Sequence, residues 1–298
     1  MNGILNINKA PGMTSYQVVA AVKRLSGERK AGHAGTLDPT ARGVLPVCLG
    51  KATRTMEYFL DTSKTYLAEI ELGVTTDSYD SSGQVTGRRD TRGISQSQVT
   101  TALSTFLGLI QQTPPMFSAL KHHGTPLYRL ARAGVTVERP PRPAQIYRIE
   151  LKSFEPPIAT IEVECGRGTY IRSLAHDLGE ALGCGGTLRS LVRLQYGPFG
   201  ISDAVTIPML EDAFRSGHAE DYLYPVEFVL SHLPAVTANH ELVSLLKHGH
   251  HLDVMALSQP PAGEPKLRVY TPSGQFLGIW RLDPASNRYR AEKVLSPD

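Results

Sequence analysis

The chain has 298 residues, 41% hydrophobic and 20% charged, with 31 Lys+Arg against 28 Asp+Glu and a net charge of +3. That length can bury a full core and is expected to hold one large domain plus a small one. No apolar run is long enough to cross a bilayer, and the N-terminus lacks the charged-then-apolar pattern of a signal peptide, so a cytoplasmic protein is expected. Three cysteines, Cys48, Cys165 and Cys184, are an odd number without a C-x-x-C pair and read as reduced thiols. No zinc spacing, P-loop or dinucleotide fingerprint is present.

In chain order, residues 3–8 read as a strand and 9–13 as a turn. Thr14 or Ser15 caps a helix with Val18, Val19, Val22 and Leu25 on one face, closed by Gly27. The stretch 31–50 follows, with Gly32, Gly35 and Gly43 permitting close approach and a single acid, Asp38, held extended by Pro39. Loop chemistry alone reads this as a placed carboxylate or as an ordinary Asp-Pro turn. Residues 51–60 are expected to be helical, and 65–72 form a strand with Tyr66, Ala68, Ile70 and Leu72 facing one way and Glu69 and Glu71 the other.

Residues 75–90 read as a loop or hairpin, and 95–109 as an amphipathic helix with Val99, Leu103 and Phe106 inward. Thr125-Pro126 is expected to start a short helix over 127–133 that bears Tyr128, Arg129 and Arg132 and ends at Gly134. Strands follow at 145–154 and 158–165; then Gly166-Arg167-Gly168-Thr169 turns into a helix buried through Ile171, Leu174, Ala175, Leu178 and Leu182. Tyr170 and Arg172 fall in its first turn, where free N–H groups attract negative charge. Beyond residue 225 the character changes to short strands at 267–271 and 276–282 around the turn Pro272-Ser273-Gly274, with Trp280 as core. His248, His250 and His251 lack a spaced carboxylate or cysteine partner and read as a solvated loop rather than a metal site.

Charge is uneven. Residues 1–54 carry eight Lys/Arg against two acids, and 121–148 carry six against Glu138 alone, whereas 203–227 hold six acids and only Arg215. Local basic surfaces on a near-neutral chain suit a polyanion.

Gly32-His33-x-Gly35-x-Leu37-Asp38-Pro39, then Gly43-Val44-Leu45-Pro46 and Gly50-Lys51-Ala52-Thr53, resembles the signature of the bacterial tRNA pseudouridine synthase B (TruB) family. Gln112-x-Pro114-Pro115-x-Phe117-Ser118-Ala119-Leu120-Lys121, Gly166-x-Gly168-Thr169-Tyr170-Ile171-Arg172 and Thr187-Leu188-Arg189-Ser190-Leu191-Val192-Arg193 extend the match. It departs at Ala10, where the family has proline, and at Phe117, where tyrosine is common. The resemblance implies an α/β (α+β) pseudouridine synthase fold on a mixed, largely antiparallel sheet. It also implies a catalytic domain over 1–230 with an inserted thumb at about 120–145, and a β-rich PUA-like RNA-binding domain over 231–298.

By the same resemblance the activity is conversion of the T-loop uridine of tRNA, position 55, to pseudouridine, by a monomer needing no metal or cofactor. Asp38 would be the catalytic carboxylate and Arg172 its partner, Arg offsetting the rise in pKa that burial imposes. The uridine must leave its stack. His33 would fill the gap, unless it bonds loop carbonyls; Tyr66 would stack on the base, with general-base work at C5 poor for a phenol of pKa about 10. Tyr170 and Leu191 would line the pocket. Lys9 would brace the loop or touch RNA, and Arg129 and Arg132 would bind RNA. A glycosidase, which commonly needs two carboxylates, is disfavoured because no second acid lies near Asp38 in sequence. A non-catalytic RNA-binding or RNA-folding protein is the other reading.

Overall fold

In the computed structural model, residues 1–253 and 264–295 are described. The first strand, β1 (Gly3–Lys9), is buried almost throughout, because it lies inside a sheet covered on both faces. Thr14 then caps α1 (Ser15–Ser26) in a capping box with Gln17, and Gly27 ends the helix in the left-handed region at φ 67°. Next come β2 (Ala31–His33), β3 (Arg42–Leu49) and β4 (Lys64–Leu72). The expected helix between β3 and β4 is present over Gly50–Asp61, as a tight 3-10 helix rather than an α-helix.

The 75–90 segment is a hairpin of β5 (Val74–Thr76) and β6 (Val85–Arg88). The helix expected over 95–109 is shorter: α2 spans Gln96–Ser104, and the chain turns at Gly108 (φ 94°) into β7 (Gly108–Gln112). Val99 and Leu103 are buried as expected, but Leu107 and Leu109 are exposed, so the helical stripe stops one turn earlier than the apolar spacing suggests. Thr125 does not cap a helix either. It sits with Pro126 in β9 (Thr125–Pro126), paired with β8 (Lys121–His122), and α3 (Leu127–Arg132) starts without a side-chain cap.

The chain continues through β10 (Arg142–Glu155), β11 (Ile158–Cys165), α4 (Ile171–Ala181), β12 (Gly186–Tyr196), β13 (Phe199–Gly200), α5 (Ile207–Ser216) and β14 (Leu223–Tyr224). The ten-stranded sheet runs β14-β1-β3-β12-β4-β11-β10-β7, with β13 on β12 and β2 on β3. Every pairing is antiparallel except β12 with β3, so the sheet is mixed, as expected. Helices α1, α2, α4 and α5 pack Val18, Val22, Val99, Leu174, Leu178 and Leu210 onto it. Cys48, Cys165 and Cys184 are free and buried.

A five-stranded sheet closes the chain, formed by β15 (Ala235–Thr237), β16 (Leu252–Asp253), β17 (Lys266–Tyr270), β18 (Phe276–Asp283) and β19 (Arg288–Val294), with α6 (His240–Lys247) between the first two. Trp280 is fully buried in its core, and its indole N–H donates to the carbonyl of His250. His248 Nδ1 lies 2.8 Å from the Ser244 carbonyl, and among the described residues no group of His, Cys, Asp or Glu could hold a metal ion. Nor is any described helix long and apolar enough to cross a membrane.

Phe276, Ile279 and Leu295 of this unit share one apolar cluster with Ala52, Tyr58 and Phe59 of the 3-10 helix. Glu292 is its polar fastening. The Tyr58 hydroxyl donates to it at 2.5 Å and Lys266 pairs with it at 3.1 Å, alongside Arg281. Burial opposes ionisation, but the hydrogen bonds from Arg281, Tyr58 and Lys266 prevail and hold the Glu292 carboxyl down to about 2. A carboxyl depressed on folding stabilises above its unfolded pKa of 4.5 and loses that contribution as pH falls toward 2. Glu292→Gln is therefore expected to lower Tm at pH 7 and to flatten the fall of Tm between about pH 4.5 and 2, read by calorimetry across pH.

Candidate active site

The turn between β2 and β3 is held from beneath. Ser15 Oγ donates to the Leu37 carbonyl at 3.1 Å and accepts from its N–H at 2.9 Å, while buried Leu37 anchors the turn in the core. The Pro39 carbonyl accepts from Gly12 N–H at 2.8 Å. Gly43, at φ 104°, begins β3 where a Cβ would stand 2.3 Å from the Arg193 carbonyl, so no larger residue fits. These restraints leave the Asp38 side chain partly open to solvent, 36% exposed.

Lys9 belongs to this foundation. It is fully buried, and its ammonium donates to the carbonyls of Met13 (2.6 Å), Ala10 (3.1 Å) and Pro39 (3.2 Å). All three N–H bonds point inward, which corrects the reading of Lys9 as an RNA contact: it braces the turn. Burial lowers its pKa to about 8, Asp38 opposing and Arg193 assisting.

Arg172 enters from the first turn of α4, its side chain 6% exposed. Its Nε lies 3.0 Å from Asp38 Oδ2 and its Nη2 3.2 Å from Oδ1, a two-pronged grip. Nη2 also donates to the Phe117 carbonyl at 2.8 Å. On the far edge, Nη1 meets the Ser78 carbonyl at 3.4 Å and Asp80 Oδ2 at 3.7 Å. Asp80 is thus a second buried acid in the site, which overturns the expectation of a solitary carboxylate. It arrives through the hairpin and is held by Ser78 Oγ (2.8 Å) and by the Ser82 N–H (3.0 Å) and hydroxyl (2.5 Å). Nothing in the Ser/Thr-rich spelling of that segment marks it out.

Burial pushes the Asp38 carboxyl above its ordinary range. Arg172 and Lys9 pull it down and Asp80 pushes it further up, so the balance stays upward. The arginine therefore limits the rise without reversing it, because burial is the larger effect and Asp80 adds to it.

The other expected pocket residues lie on the surrounding elements. Tyr66 on β4 is buried opposite Arg193 of β12, and burial raises its phenol pKa with Arg193 opposing, which takes it further from general-base work. Leu191 on β12 stands opposite Ala68 and packs against the main core. Tyr170 caps α4, its N–H bonded to Gln112 Oε1 at 3.0 Å, and burial raises its phenol as well. Asp38 acts electrostatically on both phenols. His33 ends β2 with Nδ1 buried and, among the described residues, without a hydrogen-bond partner; burial and Arg193 lower its pKa, so the ring is neutral at pH 7.

Arg129 and Arg132 are exposed on α3, with Arg132 lying over the Tyr128 ring at 5.7 Å. Arg193 was quoted in the motif without a role. It is fully buried, donates from Nε to the Val44 carbonyl at 2.6 Å and from Nη2 to the Gly35 carbonyl at 3.1 Å, and lies over the Tyr196 ring.

Residues 23–171 match the family described as "TruB family pseudouridylate synthase (N terminal domain)", and residues 172–231 match "tRNA pseudouridylate synthase B C-terminal domain". Fold and site thus define a pseudouridylate synthase, an isomerase. Within that class, the chain belongs to the TruB family. It is 47% identical over 297 residues, covering 100% of this chain and 98% of the relative, to "tRNA pseudouridine synthase B" of Dehalococcoides mccartyi. The protein of that name from Clostridium perfringens is 40% identical, with 99% of each chain covered. Among solved structures, the chain resembles one titled "Crystal Structure of a Cbf5-Nop10-Gar1 Complex", with TM-score 0.78, 29% identity, 99% of this chain and 85% of the other.

Lys9 makes a pH test of its buried position possible. With a folded pKa of about 8 against 10.5, the unfolded chain binds more protons between those values, so this group makes stability rise with pH across that window. Lys9→Met is expected to lose that rise and to lower Tm while leaving tRNA affinity within about twofold, read by thermal melts at pH 8 and 10 and by filter binding.

Proposed function

We propose that the chain converts the T-loop uridine of tRNA, position 55, to pseudouridine, with Asp38 as the carboxylate that acts on the extruded nucleotide. The observation that carries this reading is the two-pronged Arg172–Asp38 contact, with the Tyr66 and Tyr170 phenols within electrostatic reach of the carboxylate. The reaction breaks the bond between uracil N1 and ribose C1′, turns the base, and forms C5–C1′; the C5 proton is lost and N1 regains one. It is an isomerisation in which no electrons leave the pair.

Each side chain has a part in that sequence. Asp38 supplies negative charge beside C1′ or the ring, and Arg172 fixes both its oxygens and keeps it from swinging into solvent. Tyr66 presents a protonated, apolar face on which the base can stack, consistent with its raised pKa. His33, neutral and with a buried nitrogen lacking a partner, suits the space a flipped base vacates. Leu191 and Tyr170 exclude water. Arg129 and Arg132, exposed on α3, are suited to phosphate contacts. A tRNA substrate supports a cytoplasmic location, and the family resemblance supports a monomer.

A non-catalytic RNA-binding protein would share the basic surfaces, so turnover separates the two. Wild-type protein is expected to release tritium from C5-labelled uridine in unmodified tRNA, with Asp38→Asn binding tRNA normally and losing roughly 10⁴-fold or more in rate. The acid limb of kcat/KM against pH is expected above the ordinary Asp value of about 3.9, because the folded carboxyl is raised. Binding and RNA refolding without tritium release from either protein would favour the binder.

The segment at about 120–145 has the character of an arm that orders on RNA. Its helix α3 has six residues, too few to persist alone, and Leu127 is its one buried residue. Amide exchange over residues 127–134 is expected to slow severalfold on adding tRNA and to stay fast without it; equal exchange in both states would remove this role.

A further inference from the structure

Helix α4 carries Arg172 and, one turn on, His176. The connection between β5 and β6 carries Ser78, Tyr79 and Asp80. Helix and connection meet twice along one face. The first meeting is at the guanidinium, and the second is a parallel stack of the Tyr79 and His176 rings, with centroids 4.1 Å apart and planes within 6°.

Tyr79 has φ 64°, in the left-handed region that a bulky aromatic residue rarely enters. Such strain persists where the surroundings over-determine it, and it concentrates at functional sites. Here backbone bonds tie the connection to β12: Leu188 N–H donates to the Tyr79 carbonyl at 3.0 Å and Ser81 N–H to the Leu188 carbonyl at 2.9 Å. The ring pair ties it instead to α4, the helix that carries Arg172. The left-handed turn at Tyr79 brings its two neighbours, the Ser78 carbonyl and the Asp80 carboxylate, to the same guanidinium nitrogen.

We propose that the Tyr79–His176 stack is a positioning device: it seats Ser78 and Asp80 against Nη1 of Arg172, which leaves Nε and Nη2 aimed at Asp38. This inference rests on the isomerase reading and adds two residues to it that act through Arg172. The charges that face Asp38 are Lys9 from β1, Arg172 from α4 and Asp80 from the hairpin. Around His176 stand Glu180, Arg139 and Arg89. A loose stack withdraws Asp80 from this balance, and the Asp38 carboxyl then titrates lower.

The discriminating variant is Tyr79→Gly, which adopts φ 64° without strain and so keeps the turn while removing the ring. In the full-length protein, kcat for tritium release from labelled tRNA is expected to fall about tenfold to a hundredfold, with KM and tRNA Kd within twofold. The acid limb of the kcat–pH profile should move to lower pH. Tyr79→Phe, which retains the ring, should recover most of the rate, and Tyr79→Gly combined with His176→Ala should be no slower than either alone. A Tyr79→Gly protein with wild-type kcat, or one that is slower with an unmoved acid limb, would overturn the positioning role. Absence of tritium release from the wild type would overturn the isomerase reading, and this inference with it.

Discussion

A guanidinium that cannot lose its proton has been taken out of water, and much of the site follows from the need to satisfy it. Arg172 finds acceptors on three segments remote from one another in sequence: Asp38 after β2, Ser78 and Asp80 in the hairpin, and Phe117 beyond β7. Asp38, Ser78 and Phe117 lie outside helix and strand, and Asp80 makes only an isolated bridge to Leu188. Each is an irregular loop whose conformation is tied to the same buried charge, so displacing one leaves Arg172 underbonded and disturbs the other two.

The second layer beneath Asp38 is cationic too. Lys9 and Arg193 are both buried and direct their N–H groups to backbone carbonyls. With Arg172 they outnumber Asp38 and Asp80, which leaves the pocket electropositive, a suitable field for an anionic nucleotide chain. The proton of Asp38 is pulled both ways, and the balance is upward. Burial and a like-charged neighbour push its proton on, while two cations on different elements push it off.

Strand β3 links this chemistry to the C-terminal unit. It leaves the Asp38 turn, crosses beside β12 and β1, and runs straight into the 3-10 helix whose Tyr58 bonds Glu292. Apolar packing through Phe59, Tyr196 and Phe199 continues on both sides of that helix. The C-terminal sheet is therefore seated on the element that follows the Asp38 turn, not strung on a free linker.

Sequence reasoning reached what local chemistry dictates. The helix after Thr14, the alternation of Tyr66, Ala68, Ile70 and Leu72, and the core face of α4 are all set by periodicity and capping, and they stand where expected. The glycine-rich turn left Asp38 open between a placed carboxylate and an ordinary Asp-Pro turn, and the family resemblance decided between them. Family resemblance named Arg172. The misreadings share one cause. The end of α2 and the start of α3 hinge on neighbours that pull residues 108–112 and 125–126 into strands. Lys9 stayed open between a brace and an RNA contact because a count of charges carries no depth. Asp80 was invisible because a hairpin residue meets Arg172 only after β4, β12 and α4 are packed. Backbone preference and hydrophobic period act over a few residues, so the chain by itself determined most of its elements, and its motifs, through their family resemblance, the candidate acid. Burial and the meeting of charges depend on distances through space, so the tertiary structure alone decided which cation is buried, which acid is shared, and how far the carboxyl is raised.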